Sequence, residues 1–405
     1  MIWSIAWRNV WRNKVRSSIV IIAVCLGLMS GVFSAAFMKG WMGQRMDAVL
    51  LTEMSYIQIH HPEFKENYEF TYFVDNSDKI VQDIKSLDPT IKLSKRMVIN
   101  SMVASAETGT GVMIKGIDPE MEKEVTNIYT KIVEGAYFEG ISKNPVVIGK
   151  KLADKLDVSI RNKIIVTVQD QDGNVTSGAF RVAGIYKTSN TTFDGSTIFV
   201  RNSDLATLVG VNPEMSHEIA LLLSDQHNLE ETTQIIGALN PDLLTESWKD
   251  LSPEMGYMDD LMGAYMYFII IIILFALCFA IINTMLMAVL ERVKEIGMLM
   301  AVGMNKLRVF SMLMLESIFL TLSGGFLGIV LGYILFLFFQ KNGIDMSIWG
   351  EGLEAMGFAA IIYPEFDYGM IIPIIILVIL TGLLSSLYPA YKALKLNPAD
   401  SIRTD

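Results

Sequence analysis

Two cysteines are all that this 405-residue chain contains, and both, Cys25 and Cys278, fall inside long apolar runs. A disulfide framework and a thiolate metal cluster are thereby excluded. Histidine is nearly as scarce: His60, His61, His217 and His227 are the whole set, and none forms the H-E-x-x-H pair of a catalytic zinc site. No metal site is expected. No G-x-S-x-G elbow is present, which removes the serine-hydrolase reading. The nearest approach to a phosphate loop, Gly149-Lys150-Lys151, lacks both the first glycine and the hydroxyl that G-x-x-x-x-G-K-S/T requires. No nucleotide or other cofactor is expected on this chain, and no catalytic residue is assigned. Basic residues are outnumbered, 33 against 43 acidic, and they cluster only at the edges of apolar runs. Nucleic acid is therefore not an expected partner.

What the chain has in excess is apolar length. With 52% hydrophobic residues and a mean hydropathy of +0.40 it is more apolar than an ordinary soluble enzyme. Four runs, Ile19–Met38, Tyr265–Leu290, Val309–Phe339 and Met370–Leu387, are each long enough to cross a bilayer, which takes ~20 residues. Arg8, Arg12, Lys14 and Arg16 precede the first run. Arg292, Lys294, Lys306 and Arg308 lie between the second and third, and Lys392, Lys395 and Arg403 follow the fourth. Positive residues stay on the cytoplasmic side, so four crossings place both termini and the central loop there. The segment 39–262 then lies outside. It holds 21 basic against 33 acidic residues, a net of −12, whereas the chain totals −10 and everything else sums to +2.

Residues 1–18 set Trp3, Trp7 and Trp11 on one helix face, with Arg8, Arg12 and Arg16 as a second stripe. Indoles beside cations suit a helix lying in membrane lipid at the cytoplasmic headgroup level. The alternative is a cleavable signal ending near Ser34-Ala35-Ala36; the apolar run exceeds the roughly 7–15 residues of such a signal and favours an uncleaved anchor. The expected division is a surface helix 1–18, span 19–38, outer domain 39–262 with helical stalks at both ends, span 263–290, inner loop 291–308, span 309–339, a short outer loop 340–368, span 369–388 and an inner tail 389–405.

Within the outer domain, period-two patterns predict strands over Tyr56–His60, Met97–Ala104, Gly111–Gly116, Lys163–Val168, Phe180–Tyr186, Thr197–Val200 and Ile219–Leu223, with Asp172-Gly173 as a hairpin turn. Helices are predicted over Asp78–Leu87, Glu120–Val125, Lys150–Leu156, Asp204–Val209 and Leu229–Leu239. Irregular alternation implies α+β rather than a doubly wound sheet. In the third span Gly324, Gly328 and Gly332 fall four apart and permit close helix packing, either as ordinary packing or as a seam near a transport path. Glu316 is expected at the headgroup level near Arg308.

The inner loop carries Glu291, Arg292, Lys294, Glu295, Lys306 and Arg308 between apolar residues at helical spacing, Val293, Ile296, Met300, Val302 and Met304. This predicts a short amphipathic helix stopping near Gly303, read either as a docking element or as a solvated connection. The run E-R-x-x-E-I-G-x-L-x-A-x-G over 291–303 resembles the signature of the FtsX-like permease family. W-R-N-x-x-R-N-K-x-R-S at 7–17 resembles that family's start. Asn144 to Lys151 is similar to a segment of the MacB-type periplasmic core domain in which a strand runs into a helix. Tyr56–His60 resembles the first outer strand of the lipoprotein-releasing (LolC/LolE-like) branch, and the ending Y-P-A-x-x-A…N-P-A-x-x-x-R resembles both branches.

The resemblance implies a membrane protein of four transmembrane helices with a large α+β domain between spans 1 and 2, in the bacterial inner membrane. It implies a non-catalytic permease of an ABC transporter, working with a second permease protomer and a cytoplasmic ATPase subunit that holds ATP and Mg. Glu291, Arg292, Glu295, Ile296, Gly297, Leu299, Ala301 and Gly303 then form the coupling helix that docks on the ATPase. Lipoprotein cargo and a periplasmic carrier are implied by the lipoprotein-releasing branch. MacB-type efflux with an adaptor, and a scaffold activating a wall hydrolase, are the alternatives.

Overall fold

The computed structural model describes residues 2–170, 173–224 and 228–394. His227, Asp172 of the hairpin turn and the N-P-A-x-x-x-R ending lie outside the described residues. The chain divides into two compact units, residues 43–259 with 345–361, and residues 1–42 with 260–344 and 362–405.

Among the described residues of the first unit, ten strands form one mixed sheet. They are β1 (Ile57–His60), β2 (Lys92–Ala104), β3 (Gly109–Ile117), β4 (Ile132–Gly135), β5 (Pro145–Gly149), β6 (Lys163–Gln169), β7 (Val175–Tyr186), β8 (Thr197–Arg201), β9 (Glu218–Leu222) and β10 (Leu244–Ser247). The order is β10-β1-β9-β2-β3-β8-β5-β7-β4, with β6 bridging β2 and β7. Among the described residues only β3·β8 and β5·β7 run parallel, so the unit is α+β. The strand β2 begins five residues before the expected Met97, because Lys92–Arg96 pairs with β9 while its remainder pairs with β3. β4, β5 and β10 were absent from the period-two reading. β5 is buried on both faces and shows no alternation, although the Asn144–Lys151 resemblance did anticipate a strand entering a helix there.

Alternation sorts the sheet's two faces. Ile57, Ile59, Leu93, Ile219 and Leu221 enter one apolar core, and Met97, Ile99 and Ile114 another. The opposite face of the same strands carries a row of polar side chains: Gln58, Glu218, Arg96 and Lys115. His217 sits beside this row. It stacks on Phe64 and Phe73 at centroid distances of 5.0 and 4.4 Å. The Val98 N–H donates to its Nδ1 at 3.1 Å, so Nδ1 is bare, and Nε2–H donates to the Phe70 carbonyl at 3.0 Å. The ring is thus a neutral, fixed tautomer. Burial brings its pKa from 6.5 down to about 4. The depressed native pKa gives stability that is present above pH ~6.5 and lost as pH falls towards 4, at most ~1.4 kcal/mol per pH unit. The protection factors of β2 amides should carry an excess pH slope between pH 6.5 and 5, falling with pH while the intrinsic exchange rate itself slows. In His217→Gln that excess pH slope should vanish; its persistence would exonerate the histidine.

The second unit holds most of the long apolar helices. Helices Lys14–Val49, Pro253–Glu291, Lys306–Asn342 and Ile371–Leu394 contain four segments apolar and long enough to cross a membrane. Helix Ile2–Arg12 precedes them. The surface helix expected over 1–18 therefore ends six residues early. Asn13 interrupts it and starts the next helix, with the Arg16 N–H donating to its side-chain oxygen at 3.4 Å.

Candidate functional site

Between the second and third long apolar helices, the backbone turns twice within fifteen residues. Pro253–Glu291 yields to the short helix Val293–Ala301 at a single non-helical residue, Arg292 (φ −104°, ψ 16°). The short helix ends in a paired cap: Met304 N–H donates to the Leu299 carbonyl at 3.0 Å and Gly303 N–H to the Met300 carbonyl at 3.1 Å. This closure needs a left-handed residue, and Gly303 supplies it with φ +99°. Asn305 then starts Lys306–Asn342 by accepting from the Leu307 N–H at 3.2 Å. The second turn is therefore capped on both of its helices, whereas no side chain caps the linking helix at Arg292.

Its inner face is apolar. Ile296 is buried with Val309 and Leu313, and against Ala390 and Ala393 of the last helix. Small alanines at the Y-P-A-x-x-A motif thus leave room for the linking helix. Gly297 is also buried. The outer face carries exposed apolar side chains: Met298 (54%), Leu299 (37%) and Val302 (89%), followed by Leu307 (68%). Four such residues in ten are not expected on a merely solvated connection.

The loop's acids and Arg292 are engaged within the chain. Arg12 Nη2 donates to both Glu295 oxygens, at 2.7 and 2.6 Å, and Arg16 pairs with Glu291. Arg292 reaches inward, donating to the Asn9 carbonyl at 3.3 Å and lying 3.6 Å from Glu316 Oε1. Asn9 Nδ2 donates to the same Glu316 oxygen at 2.6 Å. These contacts clasp helix Ile2–Arg12 to the linking helix. The Arg12–Glu295 pair is half-exposed and contributes at most ~1 kcal/mol by itself; the set acts by orienting two helices. A cavity of about 390 Å³ remains between them, lined by Ile5, Met298, Leu299, Val302 and Leu313 among others. Glu316 was expected beside Arg308. Instead Arg308 is exposed, and the carboxylate turns to Arg292 and Asn9. Asn9 lies 307 residues from Glu316 in sequence, and such a partner leaves no local pattern to read.

On helix Ile2–Arg12, Trp3 and Trp7 set their edges against Phe319 at 5.7 and 5.4 Å, and Trp7 meets Trp11 at 5.8 Å. All three indoles remain substantially exposed, and Arg8 is exposed beside them. The glycine row faces the first long helix: a Cβ at Gly324 would lie 2.8 Å from the Ile21 carbonyl oxygen, and one at Gly328 2.7 Å from that of Cys25. Gly332 approaches Met29 and Val32 at 3.2 Å. The structure thus gathers Glu291, Arg292, Glu295, Ile296, Gly297, Leu299 and Gly303 around one short helix, with Arg12 joined to it. The side chain of Ala301 lies outside the described residues. Met298 and Val302, the most exposed apolar residues of the patch, fall inside the expected docking run Gly297–Gly303, but Val302 does not share the buried face of Ile296 as the apolar spacing suggested.

The sequence matches two family models: "MacB-like periplasmic core domain" over residues 17–239 and "FtsX-like permease C-terminal" over residues 267–398. It is 24% identical over 326 residues to the lipoprotein-releasing system transmembrane protein LolE of Haemophilus influenzae, covering 77% of each chain. It is 24% identical over 319 residues to the corresponding protein LolC of Neisseria meningitidis, covering 75% of each. Among solved structures, the periplasmic region of MacB from Actinobacillus actinomycetemcomitans aligns at 9% identity and a TM-score of 0.36, over 52% of this chain and 97% of that one.

Proposed function

The chain belongs to the FtsX-like permeases with a MacB-like periplasmic core domain, and from that premise we propose that it couples ATP hydrolysis on a separate subunit to work done outside the membrane. It is an ABC transporter permease of LolC/LolE or MacB type. In our reading the linking helix faces the cytoplasm together with both termini, in the bacterial inner membrane. A cytoplasmic ATPase subunit docks there and carries ATP and Mg, and a second permease protomer completes the transporter. The work is extraction of lipoproteins for release to a periplasmic carrier. Support for this cargo is the likeness to LolE and LolC of lipoprotein-releasing systems, each matched over about three quarters of its length.

One observation carries the docking reading. The loop's acids are engaged by Arg12 and Arg16, and Arg292 by Asn9 and Glu316, leaving Met298, Leu299 and Val302 as an exposed apolar patch. Docking is then driven by burial of those side chains, at roughly 1.5–3 kcal/mol for each large one fully buried. Met298→Glu with Val302→Glu should reduce ATPase co-purification at least tenfold while leaving membrane insertion intact. Undiminished co-purification would refute the docking face. The MacB-type alternative, efflux of drugs or peptides from the periplasm, is favoured by the E-I-G-M-L-M-A-V-G run of the loop. Transfer of a lipidated protein from spheroplasts to a soluble carrier, dependent on this chain, would decide for lipoprotein release. Chain-dependent drug resistance without such transfer would decide for efflux.

A further inference from the structure

Helix Lys14–Val49 does not end as an ordinary helix. It continues into a π-helical turn, Leu50–Met54, and stops at Ser55, whose φ of 79° and ψ of 175° fall in a region that almost only glycine adopts. A π turn in a long helix is uncommon, and a serine held there persists only where its surroundings over-determine it. The surroundings are explicit. Ser55 Oγ donates to the Leu221 carbonyl, and Tyr56 N–H donates to the same carbonyl at 3.0 Å. Asn127 N–H donates to the Leu51 carbonyl at 2.7 Å, and Thr52 Oγ1 donates to Asn127 Oδ1 at 2.9 Å. Asn190 Nδ2 donates to Glu53 Oε1 at 2.8 Å. From the middle of the sheet, the buried Lys115 ammonium donates to the Glu53 carbonyl at 2.9 Å and lies 5.9 Å from the Phe193 ring. Beside this contact is a cavity of about 500 Å³, lined in part by Glu53, Met54, Lys115 and Phe193. On that side the turn is held by polar bonds rather than by packed side chains.

We propose that Leu50–Tyr56 is a fixed joint in which Lys115 and the strained Ser55 hold the end of the first long helix in one direction, so that movement of that helix is delivered to the sheet rather than absorbed at a hinge. Its functional meaning rests on the coupling reading above. Lys115 is the positioning residue: it is a cation on the free carbonyls of a helix C-terminus, where positive charge is favoured. Arg96, Lys65, Glu218 and Glu122 bear on its charge, and Glu53, Glu246 and Asp250 line its cavity. Burial, with the Arg96 cation next in effect, brings the ammonium from 10.5 down to about 8. Above that pH the bond to Glu53 loses its charge and the joint weakens.

The test uses the full chain in detergent or nanodiscs, with Cys25 and Cys278 replaced by alanine and spin labels at exposed Asp47→Cys, on the helix, and Glu107→Cys, on the β2–β3 turn. The label–label distance distribution should be narrow at pH 7 and should at least double in width in Lys115→Met. Ser55→Gly gives a second variant whose backbone tolerates the same φ but which loses the Oγ bond, and it should broaden likewise. Raising the pH from 7 to 9.5 should broaden the parent but not Lys115→Met. Unchanged widths in folded variants would overturn the joint. Because the measurement needs no ATPase, a broadened distribution together with a failed docking test would leave the joint standing and remove only the coupling reading.

Discussion

Arg96→Met should unfold the sheet domain's central strands, at a cost of ~3–5 kcal/mol. The guanidinium is 1% exposed. It donates through Nε and Nη2 to the two oxygens of Glu122, at 3.0 and 2.7 Å, and through Nη1 to Glu218 at 3.0 Å. Glu122 and Glu218 are themselves 1% and 3% exposed. Removing the arginine leaves two desolvated carboxylates with Lys115, Lys65 and the Ser94 and Thr126 hydroxyls nearby. An isolated buried charge costs far more than the buried pair gains, so the loss comes from the stranded acids and not from the arginine's packing.

The pH dependence separates those two causes. Burial alone would raise Glu218, but Lys65 and Arg96 override it and hold the carboxylate well below its usual range. Glu122 is lowered against its own burial chiefly by Arg96. A depressed native pKa contributes stability that is fully present above the unfolded value near 4.3 and is lost as pH falls through the native one. Without Arg96 both native values rise, so the variant's deficit should shrink on acidification from pH 7 towards 5. A packing defect would keep a constant deficit. The triple variant Arg96→Met, Glu122→Leu, Glu218→Leu should recover most of the loss. Protection of β2 and β9 amides in hydrogen exchange, measured on the intact chain, reads all three cases.

This network was invisible in the sequence, and the reason is physical. Arg96 stands in K-L-S-K-R-M, just before the predicted strand Met97–Ala104 and beside Lys92 and Lys95, and nothing local marks it as buried. The acids that bury it come from a helix 26 residues later and a strand 122 residues later. The legible features were those with a local period. The four apolar runs and the amphipathic linking helix are examples, and so are strands with one polar face, such as β6 in K-I-I-V-T-V-Q. Helix Thr191–Ser196 escaped because T-T-F-D-G-S has poor propensity; it exists through Asn190, which accepts from the Thr192 and Phe193 N–H groups. At the linking helix the residue types were legible but their partners were not. Glu291 and Glu295 looked like docking charges, and the arginines that engage them lie near residue 12.

Gly328→Leu should separate the first and third membrane helices. The glycine row was readable as spacing, but only the structure says which helix it meets and how closely. A Cβ at Gly328 would stand 2.7 Å from the Cys25 carbonyl oxygen, 2.9 Å from Leu28 Cβ and 3.2 Å from Cys25 Cα. The first two are too short for any Cβ, and the carbonyl oxygen and Cα belong to the facing backbone, which cannot rotate away as a side-chain tip would. Relief requires the helices to move apart, forfeiting the close packing that holds helices together where lipid is as apolar as they are. Overpacking of this kind costs ~1–3 kcal/mol even where side chains can yield, so a larger loss is expected here. Gly324→Leu should act similarly, at 2.8 Å from the Ile21 carbonyl oxygen, whereas Gly332→Ala, at 3.2 Å, should need only a few tenths of an ångström and be mild. Gly263→Leu is the control, because nothing lies within 4 Å of its Cβ. Cys25 reports the outcome directly, since it is 7% exposed in this seam. With Cys278 replaced by alanine, maleimide labelling of Cys25 in membranes should rise at least tenfold in Gly328→Leu and stay at the parent rate in Gly263→Leu. Equal labelling in both would mean that these glycines are not what brings the two helices together.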